Sequence, residues 1–128
     1  MKPLIKIMNV LAFTMTIIFM VSICYGESAK EAVRALQKLQ ARVEAGISYR
    51  DYRPALGDAL FEVKLFLSSP ESKEKIELAT AISKAMYYYQ FAADLRESSR
   101  GESVIGVNIA LEKAGYELQK AIDLLSQG

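Results

Sequence analysis

With 128 residues, 16 of them basic and 15 acidic, the chain is close to electroneutral, which excludes a nucleic-acid binder dependent on a marked basic excess. It has no histidine, no tryptophan and a single cysteine, Cys24. An imidazole base, a haem ligand of the usual kind and a Glu-x-x-His di-iron site are thereby excluded; with Cys24 in an N-terminal leader, the remainder has neither disulfide nor thiolate metal site.

That leader is the first element. Lys2 and Lys6 precede 20 uncharged residues, Ile7 to Gly26, nearly all apolar from Val10 to Ile23. This is the layout of a signal peptide, and Cys24-Tyr25-Gly26 places small residues at −3 and −1 for cleavage before Glu27. Ser22-Ile23-Cys24 makes a poorer site. Two alternatives stay open. About 20 apolar residues suffice to span a bilayer, so residues 7–26 would also serve as an uncleaved signal-anchor. Val21-Ser22-Ile23-Cys24 resembles a bacterial lipobox at Val21 and Ser22, which would make Cys24 a lipidation site, but departs from it at Ile23. Under each reading residues 27–128 are exported, to be periplasmic, secreted or membrane-anchored. Without Lys2 and Lys6 the count is 14 basic against 15 acidic, a net charge of −1 on 102 residues. That length suits one domain.

The exported part reads as four helices, over about 29–45, 52–68, 70–98 and 103–126. Ser28 and Glu31 have capping-box spacing, followed by the apolar stripe Ala32, Val33, Leu36, Leu39, Ala41 and Val43. Gly46 is placed for a left-handed stop, with Ile47 folding back. Pro54 favours Asp51 as the next cap, ahead of Ala55, Leu56, Ala59, Leu60, Val63, Phe66 and Leu67. Ser69-Pro70-Glu71 starts a long third helix with Ile76, Ala79, Ile82, Ala85, Met86, Tyr89 and Ala93 inward, closed by Gly101. A cap near Ser103 opens the last, with Val104, Val107, Leu111, Ala114, Leu118, Ala121, Ile122 and Leu125 in one stripe. Val104 to Ile109 also has a strand-like composition, but a lone strand has no partner, so a helix is expected. Short connections imply an all-α fold, a four-helix antiparallel bundle. Haem cytochromes resemble it in size and architecture, but residues 27–128 lack the cysteines and histidine of their attachment motif.

Acids are the remaining source of chemistry. Asp58 and Glu62 share a face of the second helix, and Glu71, Glu74 and Glu77 a side of the third. Carboxylates one turn apart among lysines read as a solvated face, and no EF-hand spacing supports calcium. Two surface features stand out instead. Lys30, Arg34, Lys38 and Arg42 climb the first helix in four-residue steps and are candidates for contact with anionic head groups, or a solvated edge. Tyr87-Tyr88-Tyr89 advances 100° per residue, so the three rings cannot all enter the core. With Phe91, Tyr87 and Tyr88 are candidates for a partner surface, and Gly115 beside Tyr116 would admit a close neighbour.

The segment Gly46-Ile47-Ser48-Tyr49-Arg50-Asp51-Tyr52, followed by Ala55-Leu56-Gly57-Asp58-Ala59, resembles a turn-and-helix segment of small bacterial exported helical proteins. The resemblance covers about half of the exported part and implies a bacterial envelope setting. It carries no activity, ligand or catalytic residue. The expectation is a non-enzymatic exported interaction domain, without a cofactor, acting through an envelope protein partner or an anionic membrane surface. The alternative is a carrier holding a small ligand between its helices, near Phe66, Met86 and Tyr89.

Overall fold

The computed structural model describes residues 28–98 and 104–127, which are helical apart from short turns. Residues 1–26 with Cys24, and the expected stop at Gly101 and cap at Ser103, lie outside them. Among the described residues there are five helices and no strand: α1 over 28–44, α2 Tyr49–Leu67, α3 Pro70–Glu74, α4 Ile76–Ser98 and α5 Val104–Gln127. The strand-like opening of α5 is helical. No described helix is long and apolar enough to cross a membrane.

The end of α1 and the start of α2 have local causes. Gly46 sits at φ +84°. Ile47 N–H donates to the Arg42 carbonyl and Gly46 N–H to that of Val43, at 3.0 and 3.1 Å, the paired bonds of a Schellman stop. Ile47 then packs against the core. The cap of α2 is Ser48, one residue before the helix and three before the expected Asp51. Ser48 Oγ accepts from the Asp51 N–H at 3.3 Å and donates to the Asp51 carboxylate at 2.9 Å. Asp51 is therefore the third-position partner of the cap. That starts α2 a turn ahead of Pro54, which has no N–H to offer Arg50's carbonyl.

Ser28 and Glu31 do not form the expected capping box. Ser28 is itself helical, and its hydroxyl donates to Glu71 at the start of α3, while Glu31 accepts from Arg34 at 2.9 Å. Glu71 is buried and also holds Lys75 at 3.1 Å. The long third helix expected over 70–98 is accordingly two: Lys75, at φ −109° and ψ 66°, separates α3 from α4. The bend keeps Glu71 beneath α1 and turns Ile76, expected in the core, out to solvent. It also separates Glu71 and Glu74 from Glu77.

Every long helix sends apolar side chains into one core. Leu36, Phe66, Ile82 and Leu118, one each from α1, α2, α4 and α5, are fully buried, and each such burial stabilises by about 1.5–3 kcal/mol. Much of the rest is alanine, including Ala32, Ala59, Ala85 and Ala114, and small side chains let helix axes come close. Ala41, Leu67 and Val104 lie outside the core, although the periodicity placed all three in stripes. A smaller cluster of Ala92, Val107 and Ala110 joins the end of α4 to the start of α5, so these two run antiparallel. The contacts of Tyr52 and Arg53 with the last turns of α4 show the same for α2 and α4.

Two glycines separate backbone strain from packing. A Cβ would meet nothing within 4 Å at either Gly46 or Gly57, but only Gly46 has positive φ. Gly46→Ala should cost about 1–2 kcal/mol, whereas Gly57→Ala, within α2, should add about 0.5–1 kcal/mol. Urea midpoints of the two variants should move in opposite directions; movement together would contradict this assignment.

Candidate functional site

The aromatic cluster owes its position to the angular setting of α4. Tyr89 is 1% exposed, and Tyr52 Oη donates to its backbone carbonyl at 2.7 Å. Around that contact Arg96 lies over the Tyr52 ring, 5.4 Å from its centroid, and Arg53 pairs with Glu97 and, at 3.4 Å, with Asp94. With Tyr89 turned inward, successive 100° steps send Tyr88 to the flank of α4 and Tyr87 outward.

Tyr87 is 58% and Phe91 42% exposed. Their rings stack at 6.1 Å and 8°, and Tyr87 meets Tyr88 edge-on at 5.5 Å. Tyr88 is half-buried and lines a groove of about 460 Å³ between α4 and α5, with Ile109, Glu112, Lys113, Tyr116 and Glu117. Ile109 and Tyr116 are 49% and 72% exposed. On the other flank, Tyr87 and Phe91 border a groove of about 350 Å³ that contains Arg53 and Leu56 of α2. Tyr87, Tyr88 and Phe91 are thus brought together, and their surface continues onto α5. Ile109 and Tyr116 were not recognised from the sequence as part of it. The available signal was a second apolar row, Ile105, Ile109 and Tyr116, at helical spacing opposite the Val107–Ala114–Leu118 stripe.

Lys30, Arg34, Lys38 and Arg42 are all exposed on α1. Arg34 pairs with Glu31; the other three form no ion pair among the described residues. Arg34, Lys38 and Arg42 wall a groove of about 410 Å³ whose opposite wall, on α2, carries Asp58, Phe61 and Glu62. Phe61 and Leu65, four apart and exposed, form a further apolar strip that the sequence reading passed over. Gly115 faces the Gln40 amide of α1, which a Cβ would meet at 3.2 Å, and neither a ring nor a backbone. Phe66, Met86 and Tyr89 are buried in the common core and line none of these surface grooves. No group of three or more metal-ligating side chains occurs among the described residues. No family model, curated protein or solved structure matches the chain.

Burial pushes the Tyr52 phenol up to about 12, against the opposing pull of Arg96 and Arg53. Burial also raises that of Tyr89, with Tyr52 and Glu44 adding to the effect. Both folded values exceed the ordinary 10.0, so the unfolded chain releases these protons first. Their contribution is complete below about pH 10 and is lost as pH climbs through the folded values. The urea midpoint should therefore be level to about pH 9 and fall between about pH 10 and 12. Tyr52→Phe should cost about 1 kcal/mol at neutral pH, through the lost hydrogen bond, and make the alkaline fall shallower. A level midpoint to pH 12 would contradict the buried tyrosine pair.

Proposed function

We propose that this chain is an exported, non-enzymatic interaction domain of the bacterial envelope, built as a four-helix antiparallel bundle that presents an aromatic face to a protein partner. The observation that carries the reading is the continuous exposed surface of Phe91, Tyr87 and Tyr88 with Ile109 and Tyr116 beside them. Exposed aromatic surface rimmed by charge is the composition of partner-binding patches, where tyrosines commonly dominate the affinity. The helix that bears it is apolar on more than its core side, with Ile76, Tyr87 and Phe91 all exposed; such a helix has more to cover than its own core supplies. The envelope setting is supported by the leader over residues 1–26 and by the resemblance of the Gly46–Tyr52 segment. A carrier role remains the alternative reading, for which native protein extracted with a bound small molecule would be the sign.

Changing Tyr87 and Tyr88 together to Ser should leave the helical content unchanged, since Tyr87 is exposed and Tyr88 only half-buried. Loss of two anchors of this kind should cost about 2 kcal/mol or more of binding, some thirtyfold in affinity. A protein cross-linked to the native chain in the envelope should therefore disappear with the double variant. Its persistence with a folded variant would rule the aromatic face out.

A second contact is favoured by one observation: the four α1 cations are exposed, and among the described residues only Arg34 of the four forms an ion pair. Each basic residue at an anionic surface contributes about 1 kcal/mol. Vesicles containing anionic lipid should bind the chain at low salt and release it at high salt, and the quadruple change of Lys30, Arg34, Lys38 and Arg42 to Ala should abolish that binding. Salt-independent binding would remove α1 from the account.

A further inference from the structure

The groove between α1 and α2 carries charges of both signs and leaves them unmatched. Among the described residues Lys38 and Arg42 on its α1 wall and Asp58 and Glu62 on its α2 wall form no ion pair, and Arg34 pairs only with Glu31 of its own helix. Ala35, Ala55 and Ala59 line the space between, and side chains this small leave room for about 410 Å³, the size of a small-ligand site. A row of cations alone would suit a purely anionic head group. Carboxylates in the same groove repel one, and Glu62, half-buried, is less screened by water than exposed Asp58. A ligand that holds an ammonium next to an anion satisfies both walls. Phe61 and Leu65 are exposed on the acid-bearing helix, and apolar side chains set among charges are the composition of a surface that enters a bilayer interface.

We propose that the α1–α2 groove receives the zwitterionic head group of a phosphatidylethanolamine-type lipid, its phosphodiester against Arg34, Lys38 and Arg42 and its primary ammonium against Asp58 and Glu62. The two walls select different parts of that group. Guanidinium and ammonium side chains both bind phosphate oxygens, arginine through a fork of N–H donors. The carboxylates accept hydrogen bonds, and a primary ammonium offers three N–H donors. A choline head group has the charge without a donor, and a quaternary ammonium is recognised by a cage of aromatic rings, where this groove has the single ring of Phe61. A glycerol head group has no cation for the α2 wall. The occupant is a membrane lipid because the groove is open and bordered by Phe61 and Leu65, which a small soluble ester would leave in water. The assignment rests on the membrane contact of α1 and gives that contact a head-group chemistry.

The test is backbone-amide NMR of the full-length chain in phosphatidylcholine bicelles, which keep the apolar residues 7–26 in one lipid setting throughout. Soluble glycerophosphoethanolamine, glycerophosphoglycerol and glycerophosphocholine are titrated in turn. The ethanolamine ester should give saturable shifts around Lys38, Asp58 and Glu62, and the other two should bind about tenfold more weakly, as loss of a charge-assisted hydrogen bond implies. Asp58→Asn together with Glu62→Gln should bring the ethanolamine response down to the level of the glycerol ester without weakening the latter, whereas Lys38→Gln should weaken all three. Should the double change reduce helical content, Asp58→Asn alone, at an exposed position, should act in the same direction. Bicelles containing phosphatidylethanolamine should reproduce the shifts. No saturable shift, equal responses to the three esters, indifference to the carboxylate changes, or shifts that the phosphatidylethanolamine bicelles fail to reproduce would overturn the proposal. Any of these beside salt-sensitive, α1-dependent binding to anionic vesicles would overturn this assignment alone and leave the membrane contact in place.

Discussion

The inward turn of Tyr89 is the constraint on which the surface of this molecule depends. A helix has one rotational setting against its neighbours, and in α4 the setting buries Tyr89 and brings its carbonyl to the hydroxyl of Tyr52. Three consecutive tyrosines then cannot share a fate. Burial of the third obliges the first to face water and leaves the second on the flank. Arg53 and Arg96 close around the same contact from α2 and α4, so register and rotation are held together. The exposed aromatic face follows from core packing, and a turn of α4 that hid Tyr87 would expose Tyr89.

The opposite end of α4 obeys a different requirement. Lys75 interrupts a stretch that contains neither glycine nor an internal proline, and Glu71 is held by Ser28 and Lys75 below the bend. Such a break lets the short α3 contact α1 and α2 while α4 takes its own direction. It also disposes of the acidic row at residues 71, 74 and 77, because Glu71 becomes a buried structural partner. The α1–α2 and α4–α5 grooves are unlike each other. The α1–α2 groove opposes cations to acids across an open cleft, whereas the α4–α5 groove combines rings with a shielded carboxylate. Only the second leaves a buried polar atom unpaired.

Much of this order could be read from the residues because it is local. Gly46 signals its left-handed stop through backbone chemistry alone, and the stripe from Val107 to Ala121 needs only a period of 3.6. What escaped depends on tertiary partners. Ser48 displaces Asp51 as the cap because starting α2 earlier places Tyr52 within its first turn, under Tyr89. Ser28 is already helical, and its hydroxyl reaches a distant carboxylate, Glu71. The sequence limits how many of the three tyrosines enter the core, but the choice of Tyr89 needs Tyr52. Ile109 and Tyr116 were hidden by a stronger inward stripe on the same helix, and an unpaired oxygen on Glu117 has no signature in sequence at all.

In the function proposed above, the α4–α5 aromatic face is covered by another protein in the envelope. Site-specific photo-crosslinking in the native host tests it most directly, with the reactive side chain at position 87, 91 or 116 in turn and at position 65 on α2 for comparison. A discrete protein adduct is expected from the first three positions and none from the fourth. Adducts absent at 87, 91 and 116, or formed equally well at 65, would contradict it.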